Sequence, residues 1–171
     1  MSNLVLYTAD DFETSDMPVN GFTGVYAWLT GYKVIGLMDL DNKEWISMDG
    51  LNINKELISF YGKHALREYL DSKMELCFYL KENNISLISF FHNAKYDFSY
   101  IQHMILNEYG KYDKGSKYYL SNLVIDENNT FYSANINRRY RKRLGNGKRK
   151  DITLSYTIKD LYKYYLVNWK I

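Results

Sequence analysis

The stretch from Ile85 to Tyr109 constrains the fold more than any other part of the chain. Residues 85 to 91, ISLISFF, form a compact apolar run of strand length. Only His92 and Asn93 separate that run from a segment with helical spacing, in which Asn93 is placed to cap a helix over Ala94 to Tyr109 and Gly110 to end it. A strand feeding directly into a helix places the chain among mixed helix-and-sheet proteins. Within the helix, Asp97, Ile101 and Ile105 share a face at i, i+4 and i+8, together with Met104. An acid heading an apolar stripe is unfavourable unless it is paired or binds a metal.

A second acid-bearing element lies at the start of the chain. Residues 3 to 12, NLVLYTADDF, read as a strand running from core to rim. Residues two apart in a strand project to one face, so Asp11 and Glu13 point together and Asp10 points away. If the two strands are neighbours, Asp97 comes near Asp11 and Glu13. Three hard oxygen donors then converge, a set suited to Mg²⁺ or Mn²⁺. The same residues admit a plainer reading, with Asp11 and Glu13 as a solvated strand end and Asp97 as a first-turn acid favoured by the helix dipole.

The rest of the chain supplies more sheet, more helix and one basic ribbon. Residues 24 to 40 and 42 to 48 read as paired strands of one sheet. Residues 54 to 83 carry apolar side chains at helical spacing, Leu66, Tyr69, Leu70, Met74 and Phe78 among them, which predicts one or two helices. Residues 118 to 136 read as strand, turn at Glu127 to Asn129, and strand. The segment from Arg138 to Lys150 holds eight of the 22 basic residues and none of the 20 acidic ones, namely Arg138, Arg139, Arg141, Lys142, Arg143, Lys148, Arg149 and Lys150. With Asn146-Gly147 at its centre, it predicts a basic hairpin that attracts phosphate, with Tyr140 as a stacking candidate. A merely solvated hairpin has the same composition. Residues 159 to 171 begin a helix or an extended segment, and no repeat or linker divides residues 1–171, so one domain is expected.

Composition narrows the class. With 171 residues, 46% of them hydrophobic and 25% charged, the chain is long and apolar enough to bury a core. The single cysteine, Cys77, sits among apolar neighbours and excludes an intramolecular disulfide or a Cys-based zinc site, which fits a reducing cytoplasm. There is no basic lead segment and no run approaching the ~18 apolar residues of a spanning helix, so the expectation is a protein neither secreted nor membrane-spanning.

DFET at 11 to 14 and FHNAKYDFSYI at 91 to 101 resemble the first and second exonuclease motifs of family B DNA polymerases, in particular the protein-primed polymerases of small tailed phages. GKRKDITLSYTIKDLYKYY, from Gly147 to Tyr165, is similar to that family's Gly-Lys-Arg-Lys strand and the Asp-Ser-Leu segment after it. The resemblance implies an α/β, ribonuclease H-like fold with a mixed sheet flanked by helices. It also implies 3′-5′ exonuclease chemistry with two metal ions, Mg²⁺ or Mn²⁺, held by Asp11, Glu13 and Asp97. By position in the motifs, Thr14 and Asn93 would hold the 3′ end of single-stranded DNA by hydrogen bonding and Tyr96 by packing, with His92 in support. The implied partners are single-stranded DNA, the remaining polymerase portion and a terminal priming protein.

The chain also departs from that family. The third motif, a Tyr-x-x-x-Asp on a later helix, supplies a fourth carboxylate, and the chain beyond Asp97 is read as lacking it. Asp160 falls where the family has its Asp-Ser-Leu, with Leu161 at the serine position. The polymerase motifs are absent from residues 1–171, so this chain is not expected to polymerise DNA, and its nuclease activity in isolation is expected to be weak or nil. Two other readings stand beside the exonuclease one: a non-catalytic single-stranded DNA or protein-binding module of the same shape, and a nuclease whose fourth ligand comes from another chain.

Overall fold

A computed structural model describes residues 3–14, 18–19, 22–23, 27–108 and 117–163. Ten strands and two longer helices follow in the order β1 (Leu4–Thr14), β2 (Pro18–Val19), β3 (Phe22–Thr23), β4 (Ala27–Asp39), β5 (Glu44–Ile46), β6 (Ile58–Tyr61), α1 (Ala65–Glu82), β7 (Ile85–Phe91), α2 (Ala94–Glu108), β8 (Tyr118–Ile125), β9 (Phe131–Arg143) and β10 (Arg149–Asp160). Eight of the strands form one mixed sheet in the order β5-β4-β1-β7-β10-β9-β8, with β6 also paired to β4. The strands β1, β7 and β10 at its centre run parallel, and the flanking pairs β1–β4 and β9–β10 run antiparallel. β2 and β3 pair separately as a short hairpin.

The expected strand neighbours are present: β1 lies beside β7, with Leu4 opposite Ile85 and Asp10 opposite Phe91. Burial along β1 shows why its far end is chemically available. Val5 to Thr8 are all buried, as in a central strand covered on both faces, whereas from Ala9 exposure alternates, with Asp10 and Phe12 inward and Asp11 and Glu13 outward.

α1 lays Leu66, Tyr69, Leu70, Met74, Cys77 and Leu80 on the sheet, and α2 adds Phe98, Ile101 and Ile105 to the same continuous core. Two expectations are corrected, the helical reading upstream of Ala65 and the placing of Phe78. Residues 58–61 are strand, paired with β4, so the region from 54 to 83 holds one described helix. β4 runs unbroken through Gly31 and Gly36, where Gly36 admits the indole of Trp45 packed across the strand; a Cβ built there would lie 2.8 Å from the ring. Phe78 is 47% exposed, and Cys77 takes the buried position beside it.

The basic hairpin forms as expected. β9 and β10 pair from Arg149 opposite Arg143 to Lys159 opposite Ser133. Its turn closes with Gly147 N–H on Leu144 C=O at 3.0 Å, and Gly147 sits at φ +77°, a conformation that a glycine reaches without Cβ strain. Residues 164–171, where the sequence suggested a helix or extended segment, lie outside the described residues, as do 109–116 with Tyr109 and Gly110. No helix among the described residues is long and apolar enough to cross a membrane.

Candidate functional site

β7 ends at Phe91, so its ladder with β1 stops at Asp10. The chain turns through His92 and Asn93 and enters α2, which brings Asp97 over the end of β1. There the Phe12 backbone N–H faces the Asp97 carboxylate and pulls its pKa down. Asp97 is 4% exposed and has no cationic partner among the described residues; burial first, then the charges of Asp11, Glu13 and Asp10, push its carboxyl up to about 7 against the pull of the Phe12 amide. The structure thus brings Asp11, Glu13 and Asp97 into one electrostatic neighbourhood, with Asp11 and Glu13 on the open face of β1. Among the described residues, however, no three His, Cys, Asp or Glu side chains are spaced so as to hold an ion as they stand.

The donor chemistry still fits a hard divalent cation. Three carboxylates in mutual repulsion, one of them buried, form a set that such a cation would relieve.

Thr14 and Tyr96 also meet. Thr14 Oγ1 lies 2.6 Å from the Tyr96 hydroxyl, which accepts a hydrogen bond from Tyr100 Oη at 3.0 Å, and the two tyrosine rings pack edge to face at 5.2 Å. This chain of hydroxyls ties the end of β1 to the first turns of α2, and Tyr96 remains 45% exposed. His92 and Asn93 are exposed at the head of that helix, where the Asn93 carbonyl accepts the Tyr96 N–H at 3.1 Å. From Asn93 and Tyr96 a groove of about 560 Å³ extends past Ser99 to Leu123, Ile125 and Phe131.

The Tyr-x-x-x-Asp spacing needs a correction. It does occur beyond Asp97, at Tyr156/Asp160 and at Tyr109/Asp113, the second of which lies outside the described residues. Tyr156 and Asp160 stand on a strand, not a helix. Asp160 is buried and fully occupied at the junction, accepting the Ala94 N–H through Oδ2 and the Lys163 N–H through Oδ1, each at 3.0 Å. It anchors the start of α2 to the end of β10.

The basic residues divide. Arg138 is turned toward α1, where it bonds Asp71 at 2.9 Å and its guanidinium lies over the rings of Tyr118 and Tyr140 at 5.1 and 4.5 Å. Arg141, Lys148, Arg149 and Lys150 are exposed, Arg139 is half-buried, and Arg141 has only a loose ion pair with Asp151 at 3.7 Å. Lys142 and Arg143 belong to β9, and their side chains lie outside the described residues.

The sequence reading missed Lys73, which is fully buried beneath β1 and ion-paired to Asp10. Its signal was present: Lys73 falls inside the apolar stripe of Tyr69, Leu70, Met74 and Cys77, where a solvated lysine has no place.

No protein-family model matches the chain, and no curated protein matches it. Solved structures do. The chain is similar to phi29 DNA polymerase complexed with single-stranded DNA, with a TM-score of 0.54 and 15% identity over 91% of this chain and 20% of that one. For phi29 DNA polymerase complexed with primer-template DNA the values are 0.52 and 16% over the same shares. With incoming nucleotide also bound, they are 0.51 and 16% over 94% of this chain and 21% of that one. At this identity the likeness is one of fold: the α/β sheet described here is shared with part of a DNA polymerase chain. The chain spans about a fifth of the length of those polymerases.

Proposed function

We propose that this chain is the exonuclease-like portion of a protein-primed, family B DNA polymerase, with a ribonuclease H-like fold, and that its site engages the 3′ ends of single-stranded DNA. One observation carries the reading: Asp97 is buried at the end of β1 under the combined charge of Asp11 and Glu13, with no cationic partner among the described residues. Asp11, Glu13 and Asp97 would hold Mg²⁺ or Mn²⁺, which when bound supplies a hydroxide nucleophile at neutral pH and stabilises the leaving oxygen. The protein's own contribution is positioning. Thr14 and Asn93 offer hydrogen bonds to the terminal nucleotide, the exposed ring of Tyr96 packs on its base, and His92 borders the same end of α2. The groove from Tyr96 to Phe131 accommodates the adjoining nucleotides. The exposed cations of the β9–β10 hairpin attract the phosphate backbone. Likeness of fold to a polymerase solved with single-stranded DNA supports the same substrate class. The complete reaction uses two ions and a fourth carboxylate, so residues 1–171 alone are expected to bind 3′ ends better than they trim them.

The test is degradation of 3′-labelled single-stranded DNA with Mg²⁺ or Mn²⁺. Slow, metal-dependent trimming that Asp11→Ala abolishes is expected; trimming that Asp11→Ala leaves untouched defeats the assignment. A second reading, a non-catalytic single-stranded DNA-binding module, is favoured by the open spacing of the three carboxylates. Salt-sensitive DNA binding with no metal-dependent cleavage would select it.

A further inference from the structure

Beneath the open acids lies a closed polar knot. Lys73 and Asp10 are both wholly buried side chains with Nζ 2.9 Å from Oδ2. The ammonium also donates to Ser89 Oγ at 2.7 Å and to Thr8 Oγ1, so all three of its protons have acceptors. The Thr8 hydroxyl donates to Asp10 Oδ1 at 2.6 Å, and the Tyr69 hydroxyl donates to Oδ2. The Tyr32 ring faces the ammonium at 4.3 Å. Residues from β1, β4, β7 and α1 therefore converge on one ion pair.

The position of this knot on β1 is informative. Pairing of β1 with β4 is regular from Thr8 to Glu13 and irregular on both sides, between Tyr7 and Thr8 and between Glu13 and Thr14. In both places β1 runs on without a gap and the extra residue belongs to β4, Ile35 and Trp28, so the ladder with β4 changes step on either side of the acids. A shift of one residue there would exchange faces, turning Asp10 outward and Asp11 and Glu13 into the core. Of the acids at 10, 11 and 13, the fold buries only the one that has a lysine waiting for it.

We infer that the Lys73–Asp10 pair is a positioning device that fixes the phase of β1 between the two irregularities of its ladder with β4, so that Asp11 and Glu13, and not Asp10, face Asp97. Its purpose rests on the proposed nuclease reading, but its geometry is measurable without metal or substrate. The reporter is the Phe12 amide, two residues beyond Asp10 on β1 and facing Asp97, whose protection is expected to fall when the phase is lost.

The experiment is amide hydrogen exchange by NMR on the metal-free protein and on the charge-balanced double variant Asp10→Asn/Lys73→Met, with the buried Ile136 of β9 as an internal control. The expected result is exchange at Phe12 at least ~10-fold faster with Ile136 unchanged. Unchanged exchange at both amides overturns the inference, as does an equal acceleration at both, which denotes general loosening. If the double variant does not fold, Ser89→Ala removes one acceptor and leaves the ion pair; a rise of about 3-fold confined to Phe12 supports the inference, and no rise overturns it. A parallel Mn²⁺ titration of the wild-type chain separates the two claims: absence of binding counts against the nuclease reading and leaves the exchange result to decide this one.

Discussion

Asp10 and Asp97 are both buried acids packed at the end of β1, 5% and 4% exposed, and the fold treats them in opposite ways. Asp10 receives a lysine, a threonine and a tyrosine hydroxyl. Asp97 receives one backbone amide and the repulsion of Asp11 and Glu13. Buried charge persists in a fold when it is paired and is otherwise costly. Asp10 therefore belongs to the architecture, whereas Asp97 is left to be relieved either by a proton or, on the proposed reading, by a cation. Burial alone would not have separated the two; the inventory of partners does.

The comparison can be broken from either side. The largest effect is expected at the paired acid: Lys73→Met strands an anionic Asp10 and should cost about 3–5 kcal/mol by urea denaturation, most of it recovered in Asp10→Asn/Lys73→Met. Near-neutrality of Lys73→Met would mean that Asp10 is not held as an anion. At Asp97 the sign reverses. Burial and the neighbouring acids push its carboxyl from 3.8 up to about 7, so folding favours the neutral form. That contribution is fully present below about pH 4 and lost as pH rises through about 7. In EDTA at pH 8, Asp97→Asn should therefore stabilise the protein, by up to about 4 kcal/mol, with the gain vanishing near pH 4. Thermal melts across that range measure it, and a destabilised variant at pH 8 would contradict it.

Smaller effects test the rim. Tyr96→Phe removes the hydroxyl shared by Thr14 and Tyr100 and should cost about 1 kcal/mol in stability while weakening capture of a fluorescent oligonucleotide 3′ end. Arg141→Ala breaks only an exposed pair, so its stability should change by less than about 0.5 kcal/mol. Its effect should appear instead in the salt dependence of single-stranded DNA binding, whose log–log slope falls by about 0.7 for one lost phosphate contact.

Much of the site was legible in the sequence because strand alternation and helical spacing are local rules. They put Asp11 and Glu13 on one face, Asp10 on the other, and Asp97 at the head of the stripe of Ile101 and Ile105. The turn at Gly147 was equally local. What stayed hidden depends on partners distant in the chain. Lys73 meets Asp10 across 62 intervening positions, and its place in the apolar stripe of α1 marks it as inward without saying which acid it meets. Arg138 reads as part of a basic ribbon until α1 presents Asp71 to it. Asp160 shows its role only when the start of α2 arrives at its carboxylate. Residues 58–61 become strand through pairing with β4, a tertiary contact that helical spacing upstream of α1 does not encode.

The central claim, that Asp97 with Asp11 and Glu13 awaits a cation, is tested most directly by Mn²⁺ titration of the isolated chain at pH 7.5, followed by thermal shift. The account predicts a saturable rise in Tm that Asp11→Ala and Asp97→Asn each abolish and Arg141→Ala leaves intact. A melting temperature indifferent to Mn²⁺, or a rise that survives both substitutions, would contradict it.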